Sequence, residues 1–253
     1  MKSVYKNEKR AAYNTSMYYN YRWQNIVTYN FKVKQDHDFT VTGISEWSKS
    51  RTETSGANSA GFNVDNYLFF NLGSGTTQSV ASSYKETMMM SYAARLNYSY
   101  KGRYLITLSN RWDGASQLSN KWCAFPAAAA AWRISDEAFM SGTQNWLSNL
   151  KLRVGWGITG NANIDPYVTV TKATSPDVKM DLGTGSLPLS IMTQSWGNKD
   201  LTWEKSYNTN IGLDLALFNG RIDLAVDYYY TNTKDVLYAR PLPVSLGSFE
   251  TLA

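Results

Sequence analysis

The stretch over residues 207–230 constrains the fold of this chain more than any other. Apolar and polar side chains alternate strictly from Tyr207 to Leu217 and again from Ile222 to Tyr230. Such alternation is typical of β-strands with one apolar face, and the intervening Asn-Gly pair favours a tight hairpin turn. Each arm is about ten residues long, the length that a tilted strand needs to cross a bilayer. A soluble sandwich could use the same hairpin, because its apolar face would pack equally well on a second sheet.

The same alternation recurs along the chain and predicts eight strands in all. Residues 1–20 are polar and rich in Tyr, and we assign them only to the end of a preceding strand. Residues 49–85 are rich in Ser, Gly, Thr and Asn without a sustained period, which predicts a long loop. Five alanines at 127–131 favour a helix by propensity, but Pro126 and the flanking alternation favour a strand there. The predicted strands lie near residues 23–34, 39–49, 88–101, 103–115, 122–134, 148–160, 203–217 and 221–236.

The predicted connections between strands sort by length onto two sides of the sheet. Ser135, followed by two acidic residues, predicts a single capped helical turn within one of the short connections. Brief turns on one side and long loops on the other are typical of outer-membrane barrels. Short turns are expected at 35–38, 102, 135–147 and 218–220, and long loops at 50–87, 161–202 and after 236, with 116–121 as the exception.

The positions that alternate with the apolar side chains carry many charges. A polar lumen tolerates such charges, whereas the dry core between two packed sheets does not. The pattern therefore favours strands with one side facing lipid and the other facing a lumen. The charged positions are Arg95, Lys101, Arg103, Arg111, Asp113, Lys151, Arg153, Asp214, Asp223 and Asp227.

Composition argues against several other classes of protein. The 25 basic and 20 acidic residues give a net charge of +5. They are scattered singly, so no basic patch for nucleic acid is predicted. The single cysteine, Cys123, leaves no internal disulfide framework and no cysteine-cluster metal site. No apolar run reaches the roughly 18 residues of a transmembrane helix. Aromatic residues make up 14% of the chain, and Tyr and Trp suit a membrane interface.

No arrangement of side chains predicts catalysis, a metal site or a cofactor site, and we expect the protein not to be an enzyme. His37, the only histidine, falls in the predicted turn 35–38 and is interpreted as a solvated turn residue. Asp223 and Asp227 lie on one strand face, about 13 Å apart. That distance is too large for the two carboxylates to act as general acid and general base on one glycosidic bond. Residues 155–160 match the glycine pattern of dinucleotide-binding loops but lie inside a strand rather than at a strand-to-helix turn.

Several sequence segments follow, in order and at consistent spacing, a pattern shared by a known family. They are RLNYSYKGRYL (95–105), RWDGAS (111–116), FP (125–126), AWRISDE (131–137), WLSNLKLR (146–153), GWGITGN (155–161), LTWEK (201–205), NIGLD (210–214) and FNGR (218–221). Together they resemble the SusC/RagA family of TonB-linked outer-membrane transporters. The resemblance is close over roughly residues 88–243. Over residues 20–50 only the general style of the sequence is similar, without matching motifs. Gln117 and Leu118 depart from it, since the family has Arg-Phe there.

The resemblance implies an all-β fold made of antiparallel, up-and-down transmembrane β-barrel strands. Barrels of this class close with about 22 strands around a plug, so about eight strands would form an arc of a larger barrel. The sequence shows no signal peptide, TonB box or plug domain. We therefore expect residues 1–253 to be a partial outer-membrane β-barrel domain, although eight strands could also close into a small barrel.

The function that the resemblance implies is TonB-dependent import of nutrients, oligosaccharides or peptides, across the bacterial outer membrane. The implied partners are a TonB complex acting through a plug region, a SusD-like surface lipoprotein over the long loops, and outer-membrane lipid. We expect no cofactor and no nucleic acid. Two alternatives stay open: a free-standing small outer-membrane barrel with a structural or adhesive role, and a secreted all-β sugar-binding module. The charged lumen-facing positions argue against the module.

Candidate substrate contacts come from the lumen-facing charges and from aromatic residues near strand ends. Trp112, Trp122, Trp196 and Trp203 fall near strand ends or in the long loops. Their rings could stack on pyranose faces, and the interfacial girdle that all such barrels carry explains each of them equally well. The predicted substrate contacts are Arg111, Asp113, Trp122 and Trp196.

Overall fold

The computed structural model describes residues 9–63, 68–174, 192–241 and 250–252. Eight long strands form one antiparallel sheet, in which each strand pairs with the next long strand along the chain. They are β1 (Arg10–Val33), β2 (His37–Ala60), β3 (Thr77–Tyr100), β4 (Tyr104–Ala115), β5 (Trp122–Arg133), β6 (Leu147–Asn161), β9 (Glu204–Leu217) and β10 (Ile222–Lys234).

The order of the strands in this sheet confirms the predicted up-and-down architecture. Within the described residues β1 and β10 are its two edges, and the sheet does not close on itself. Two small sheets accompany it: β7 (Lys172–Thr174) pairs with β8 (Met192–Ser195), and β11 (Ala239–Pro241) pairs with β12 (Glu250–Leu252). No helix among the described residues is long and apolar enough to span a membrane.

Contacts divide the chain into two units. One comprises residues 1–22 and 48–87, and the other comprises residues 23–47 and 88–253. The first unit contains the parts of β1, β2 and β3 that lie farthest from their short turns. The second contains the remaining strands and the loops that follow β4, β6 and β10.

Strands β1, β2 and β3 are each 24 residues long, and the long loop predicted over residues 49–85 is wrong. β2 continues to Ala60, a 3₁₀ helix covers Leu68–Ser74, and β3 begins at Thr77. β1 also begins at Arg10, within the stretch that the sequence left almost unassigned. Residues 49–60 are polar on both faces, and residues 77–87 carry few apolar side chains, so no sustained apolar alternation marks them. The backbone ladder pairs them regardless of side-chain polarity. In β1, by contrast, Tyr13, Met17, Tyr19 and Tyr21 share one face, and the sequence reasoning missed this signal.

The short turns differ in detail from their predicted forms. Residues 134–143 form two 3₁₀ helices, Ile134–Asp136 and Ala138–Thr143, and neither has a side-chain cap. The predicted cap by Ser135 is wrong, because its hydroxyl donates to Asp136 Oδ1 at 3.1 Å instead. In the β9–β10 hairpin, Phe218 adopts a left-handed backbone conformation in addition to the expected Asn219 and Gly220.

The predicted loop over residues 161–202 contains the β7–β8 pair. Its central residues, 175–191, lie outside the described part of the chain. The alanine-rich segment is a strand, as predicted, and it pairs with β4 on one side and β6 on the other.

From β4 to β10, the cross-strand register divides the side chains between two faces of the sheet, one apolar and one polar. On the apolar face, Leu215 lies opposite Leu150 and Leu224, and Ile106 lies opposite Ala130. On the polar face, Asp214 lies opposite Lys151. Because directly opposed residues point to the same side of a sheet, each face keeps its character from strand to strand.

A compact cluster at the long-loop ends of β4, β5, β6 and β9 forms what we call the loop core: Ala115, Leu118, Phe125, Ala162, Leu201 and Trp203. Trp203 is 2% exposed, and its indole N–H donates to the Lys121 carbonyl at 2.8 Å. Its ring meets the Phe125 ring edge-on at 5.2 Å between centroids. A Cβ at Gly160 would overlap the Phe125 ring, so glycine is needed there.

Glu137 anchors the opposite, short-turn side of the sheet. Its carboxylate accepts hydrogen bonds from the Trp132 indole at 3.0 Å, from Arg103 at 3.4 Å and from the Tyr104 hydroxyl. These bonds hold the pKa of Glu137 below its ordinary value, with the Tyr104 hydroxyl as the largest cause. One carboxylate thus ties the turn after β5 to the start of β4.

Replacing Trp203 by Ala should lower the free energy of unfolding by about 3–5 kcal/mol, because it leaves a large cavity in the loop core. Urea unfolding in lipid vesicles, followed by circular dichroism, measures the change. Trp146, which is 48% exposed in a turn, provides the control. Trp146→Ala should change stability by no more than about 0.5 kcal/mol. Equal losses for the two variants would contradict the role assigned to the loop core.

Glu137 should make stability depend on pH in the acidic range. Because the pKa of Glu137 is lowered in the folded protein, its contribution is fully present above the ordinary value of 4.5. That contribution is lost as the pH falls through the lowered folded-state pKa. Wild type should therefore be more stable than Glu137→Gln at neutral pH, and the gap in urea midpoint should narrow below about pH 4. A gap that stays constant down to about pH 3 would show that the carboxylate charge is not responsible.

Candidate functional site

The polar face carries an ion pair between a buried carboxylate and a partly exposed guanidinium near the long-loop end of β4. Arg111 and Asp113 are two positions apart on this strand and share a face. The Arg111 Nε donates to both carboxylate oxygens of Asp113, at 2.6 and 2.8 Å, and its Nη2 donates to the Ser91 hydroxyl at 3.0 Å. The Asp113 side chain is only 8% exposed and that of Arg111 is 41% exposed. Asp113 and Ser91 therefore orient a guanidinium group whose outer edge faces solvent.

A cavity of about 400 Å³ lies beside this ion pair. Its wall includes Arg95, Ser109 and Thr159 together with the Phe125 ring and Arg111 itself. Hydroxyl groups, cationic groups and one aromatic ring thus surround a space of the size that small polar ligands occupy. The arrangement suits hydrogen bonding to a solute.

A second ion-pair cluster lies on the polar face toward the short-turn ends of the strands. Arg153 donates to Asp214 through Nε at 2.9 Å and through Nη2 at 2.8 Å, and its Nη2 also lies 3.2 and 3.3 Å from the Asp227 carboxylate oxygens. Gly212 lies opposite both Arg153 and Asp227 in the register. A Cβ at Gly212 would come within 2.5 Å of Asp227 and 2.7 Å of Arg153. Glycine at that position makes room for the cluster.

Trp122 lies on the apolar face, apart from the Arg111–Asp113 pair. It is directly opposite Gly114, and its ring stacks near Tyr92 at 6.2 Å between centroids. The ring is 54% exposed. This position favours contact with the membrane interface for Trp122.

Trp196 lies in the loop after β8, against a separate cavity of about 410 Å³. Its side chain is 44% exposed. Asp165, Lys172 and Tyr238 share the same cavity. The structure therefore brings Arg111 and Asp113 together and places Trp122 and Trp196 at two other locations.

The structure also shows the surroundings of three other residues that the sequence singled out: Trp203, Trp112 and His37. The suggestion that Trp203 stacks on a sugar is wrong, because its side chain is buried in the loop core. Trp112 is 45% exposed and points to the apolar face, like Tyr92 opposite it. The interpretation of His37 as a solvated turn residue is also wrong. It is the first residue of β2, and its Nδ1 lies 2.8 Å from the Tyr98 hydroxyl.

Sequence reasoning missed Tyr238, Asp165 and Lys172 as lining of the Trp196 cavity. Asp165 and Tyr238 lie in loops and Lys172 begins the short strand β7, all in stretches without a sustained period. No sequence signal places residues 165 and 238 at one cavity. Among the described residues, no group of three or more His, Cys, Asp or Glu side chains is arranged to hold a metal ion.

A family model described as "TonB dependent receptor-like, beta-barrel" matches residues 3–251. TonB-dependent receptor P3 of Formosa agariphila is 35% identical over 227 residues, which is 88% of this chain and 22% of that protein. TonB-dependent receptor SusC of Bacteroides thetaiotaomicron is 40% identical over 159 residues, 62% of this chain and 16% of that protein.

Solved structures show the same architecture. The RagAB peptide transporter superposes with a TM-score of 0.81 at 27% identity, covering 97% of this chain and 26% of that chain. The siderophore receptor PirA from Acinetobacter baumannii, with a TM-score of 0.57 at 14% identity, shares the fold. The chain thus spans about a quarter of the length of the proteins that it matches.

Removing Arg153 should destabilise the sheet by leaving Asp214 and Asp227 beside each other without their cation. Because these side chains are about a third exposed, we expect Arg153→Met to lower the stability only slightly. Asp227→Asn should cost less, since the two-bond pair with Asp214 remains. Urea midpoints in vesicles compare the variants. An Arg153→Met protein as stable as wild type would show that the cluster does not stabilise the fold.

Proposed function

Because the chain belongs to the TonB-dependent receptor-like β-barrel family of the bacterial outer membrane, we propose that it serves in TonB-dependent import of oligosaccharides through a SusC/RagA-type barrel. The observation that carries the proposal is the two-sided sheet. One face is apolar and rich in aromatic rings, and the other bears ion pairs and hydroxyl groups. Such strands separate lipid from a polar lumen.

The polar face supports contact with a hydroxylated solute. Arg111 keeps part of its guanidinium exposed while Asp113 and Ser91 fix its orientation. A group held in this way loses little conformational entropy when it binds a ligand. We propose Arg111 and Asp113 as substrate contacts in the lumen and Trp196 as a contact at the loops. A substrate contact by Trp122 stays a prediction from the sequence. Its place on the apolar face favours contact with the lipid interface instead.

The proposed partners follow from the family. A TonB complex would act through a plug region, and a SusD-like lipoprotein would cover the long loops. The loop core supports the second partnership, because it gives the loops after β4 and β6 a packed base on which a partner could rest. In this proposal the protein transports and does not catalyse.

The alternatives fit the structure less well. A free-standing eight-stranded barrel would pair its first and last strands, and within the described residues β1 and β10 are edges. A sugar-binding sandwich would pack the apolar face on a second sheet, and the other described sheets have only two strands each. Peptides are the second candidate substrate class, because the RagAB structures with similar architecture are those of a peptide transporter.

Uptake in cells tests the function. A strain that carries the intact gene should accumulate fluorescently labelled hexasaccharides, and deletion of either this gene or tonB should abolish the uptake. Labelled hexapeptides provide the competing substrate class. Import of the peptides without the saccharides would overturn the saccharide assignment, and import that persists without TonB would overturn the mechanism.

Arg111→Met should reduce uptake by about tenfold at unchanged outer-membrane abundance, because it removes charged hydrogen bonds to the solute. Arg221 lies exposed in the β9–β10 turn and provides the matched control. Arg221→Met should transport like wild type. Equal uptake by the two variants would remove Arg111 from the proposed path.

A further inference from the structure

The cavity at Trp196 lies among the loops that follow β6, β8 and β10. Its volume is about 410 Å³, within the usual range of roughly 300–1,000 Å³ for small-molecule sites. Its lining combines two exposed aromatic rings, those of Trp196 and Tyr238, with polar side chains. The polar members are Asn163, Asp165, Lys172 and Ser195.

The floor of this cavity is firmly supported. Ile164, Val168 and Leu237 line it and also pack against the loop core. The Glu204 carboxylate accepts hydrogen bonds from the Leu237 backbone N–H at 3.1 Å and from the Asn161 amide at 3.3 Å. One side chain at the start of β9 therefore joins the end of β6 to the segment after β10, and residues that follow both strands line the cavity.

The position of the Trp196 ring is set by a close backbone approach at the next residue. A Cβ on Gly197 would lie 2.5 Å from the Thr171 backbone nitrogen and 2.7 Å from the Thr169 carbonyl carbon. Gly197 N–H donates to the Thr171 hydroxyl at 3.1 Å, and Asn198 N–H donates to the Val168 carbonyl at 3.2 Å. The loop that carries Trp196 is thus fastened to residues 168–171.

Backbone strain occurs next to this segment. Tyr167 has a φ of +68°, in the left-handed region that bulky residues rarely adopt. It stands between the lining residues Asp165 and Val168. Strained conformations of this kind cluster at ligand-binding sites, because surrounding structure must hold them in place.

We propose that this cavity is a binding subsite for one or two units of a neutral saccharide. An aromatic face carries partial negative charge and attracts the weakly positive C–H groups on the face of a pyranose ring. Carboxylate, amide and ammonium groups beside the rings can accept from and donate to adjacent hydroxyl groups. Asp165 and Lys172 together contribute no net charge, which favours a neutral ligand over a charged one.

This inference rests on the proposed function for its saccharide class and is tested by binding to the full-length protein in detergent. Isothermal titration with neutral α-1,4- and β-1,3-linked hexasaccharides of glucose is the measurement. Trp196→Ala, Tyr238→Ala and Asp165→Asn should each weaken binding of the preferred hexasaccharide by about tenfold. Trp196→Tyr, which keeps a ring, should retain most of the affinity.

Trp156 supplies the matched control, because it is 44% exposed like Trp196 but lies in β6 on the apolar face. Trp156→Ala should bind like wild type. Retained heat-modifiable mobility of every variant on electrophoresis shows that the barrel has assembled.

The outcomes separate the two proposals. Saccharide import by wild-type cells with unchanged binding by Trp196→Ala and Tyr238→Ala would overturn the subsite and leave the function standing. Saccharide binding that these variants weaken, in cells that do not import the saccharide, would support the subsite and overturn the function. Weakened binding of a hexapeptide with unchanged binding of the hexasaccharides would overturn the saccharide class of the subsite.

Discussion

The antiparallel hydrogen-bond ladder that runs from β1 to β10 is the constraint on which the rest of the structure depends. In a bilayer no water satisfies backbone N–H and C=O groups, so each strand needs a hydrogen-bonded neighbour on both sides. The ladder fixes register, and register decides which side chains share a face. A shift by one residue would turn Arg153 and Asp214 toward lipid and Leu213 toward the lumen. The ion pairs and the apolar face are therefore two consequences of one alignment.

The polar face makes its charges tolerable by pairing them. Arg111 with Asp113, and Arg153 with Asp214 and Asp227, satisfy one another at hydrogen-bonding distance. Leaving one charge without its partner costs more than the pair contributes when both are present. The same pairing stabilises the wall and, in the proposed function, presents the exposed part of Arg111 to a solute.

The loops after β4, β6 and β10 acquire order from a different source. Trp203 and Phe125 bury apolar surface that no strand alternation predicts, and Glu204 joins strand ends that are distant in sequence. Packing of this kind holds the Trp196 cavity open on a fixed base. In the proposed subsite, affinity for a flexible polar ligand would benefit, because less of the binding energy is spent on ordering the site.

The sequence by itself determined the strand class, the number of long strands, their up-and-down order and the two faces, because alternation is a local property that each segment shows alone. It failed mainly where that signal is weak or absent. The far parts of β2 and β3 are polar on both sides, and His37 and Ser135 took partners that local patterns do not show. Tertiary structure alone decided the burial of Trp203, the separation of Trp122 from Arg111 and the meeting of Trp196 with Tyr238. These depend on contacts between residues far apart in the chain, which only the folded structure brings together.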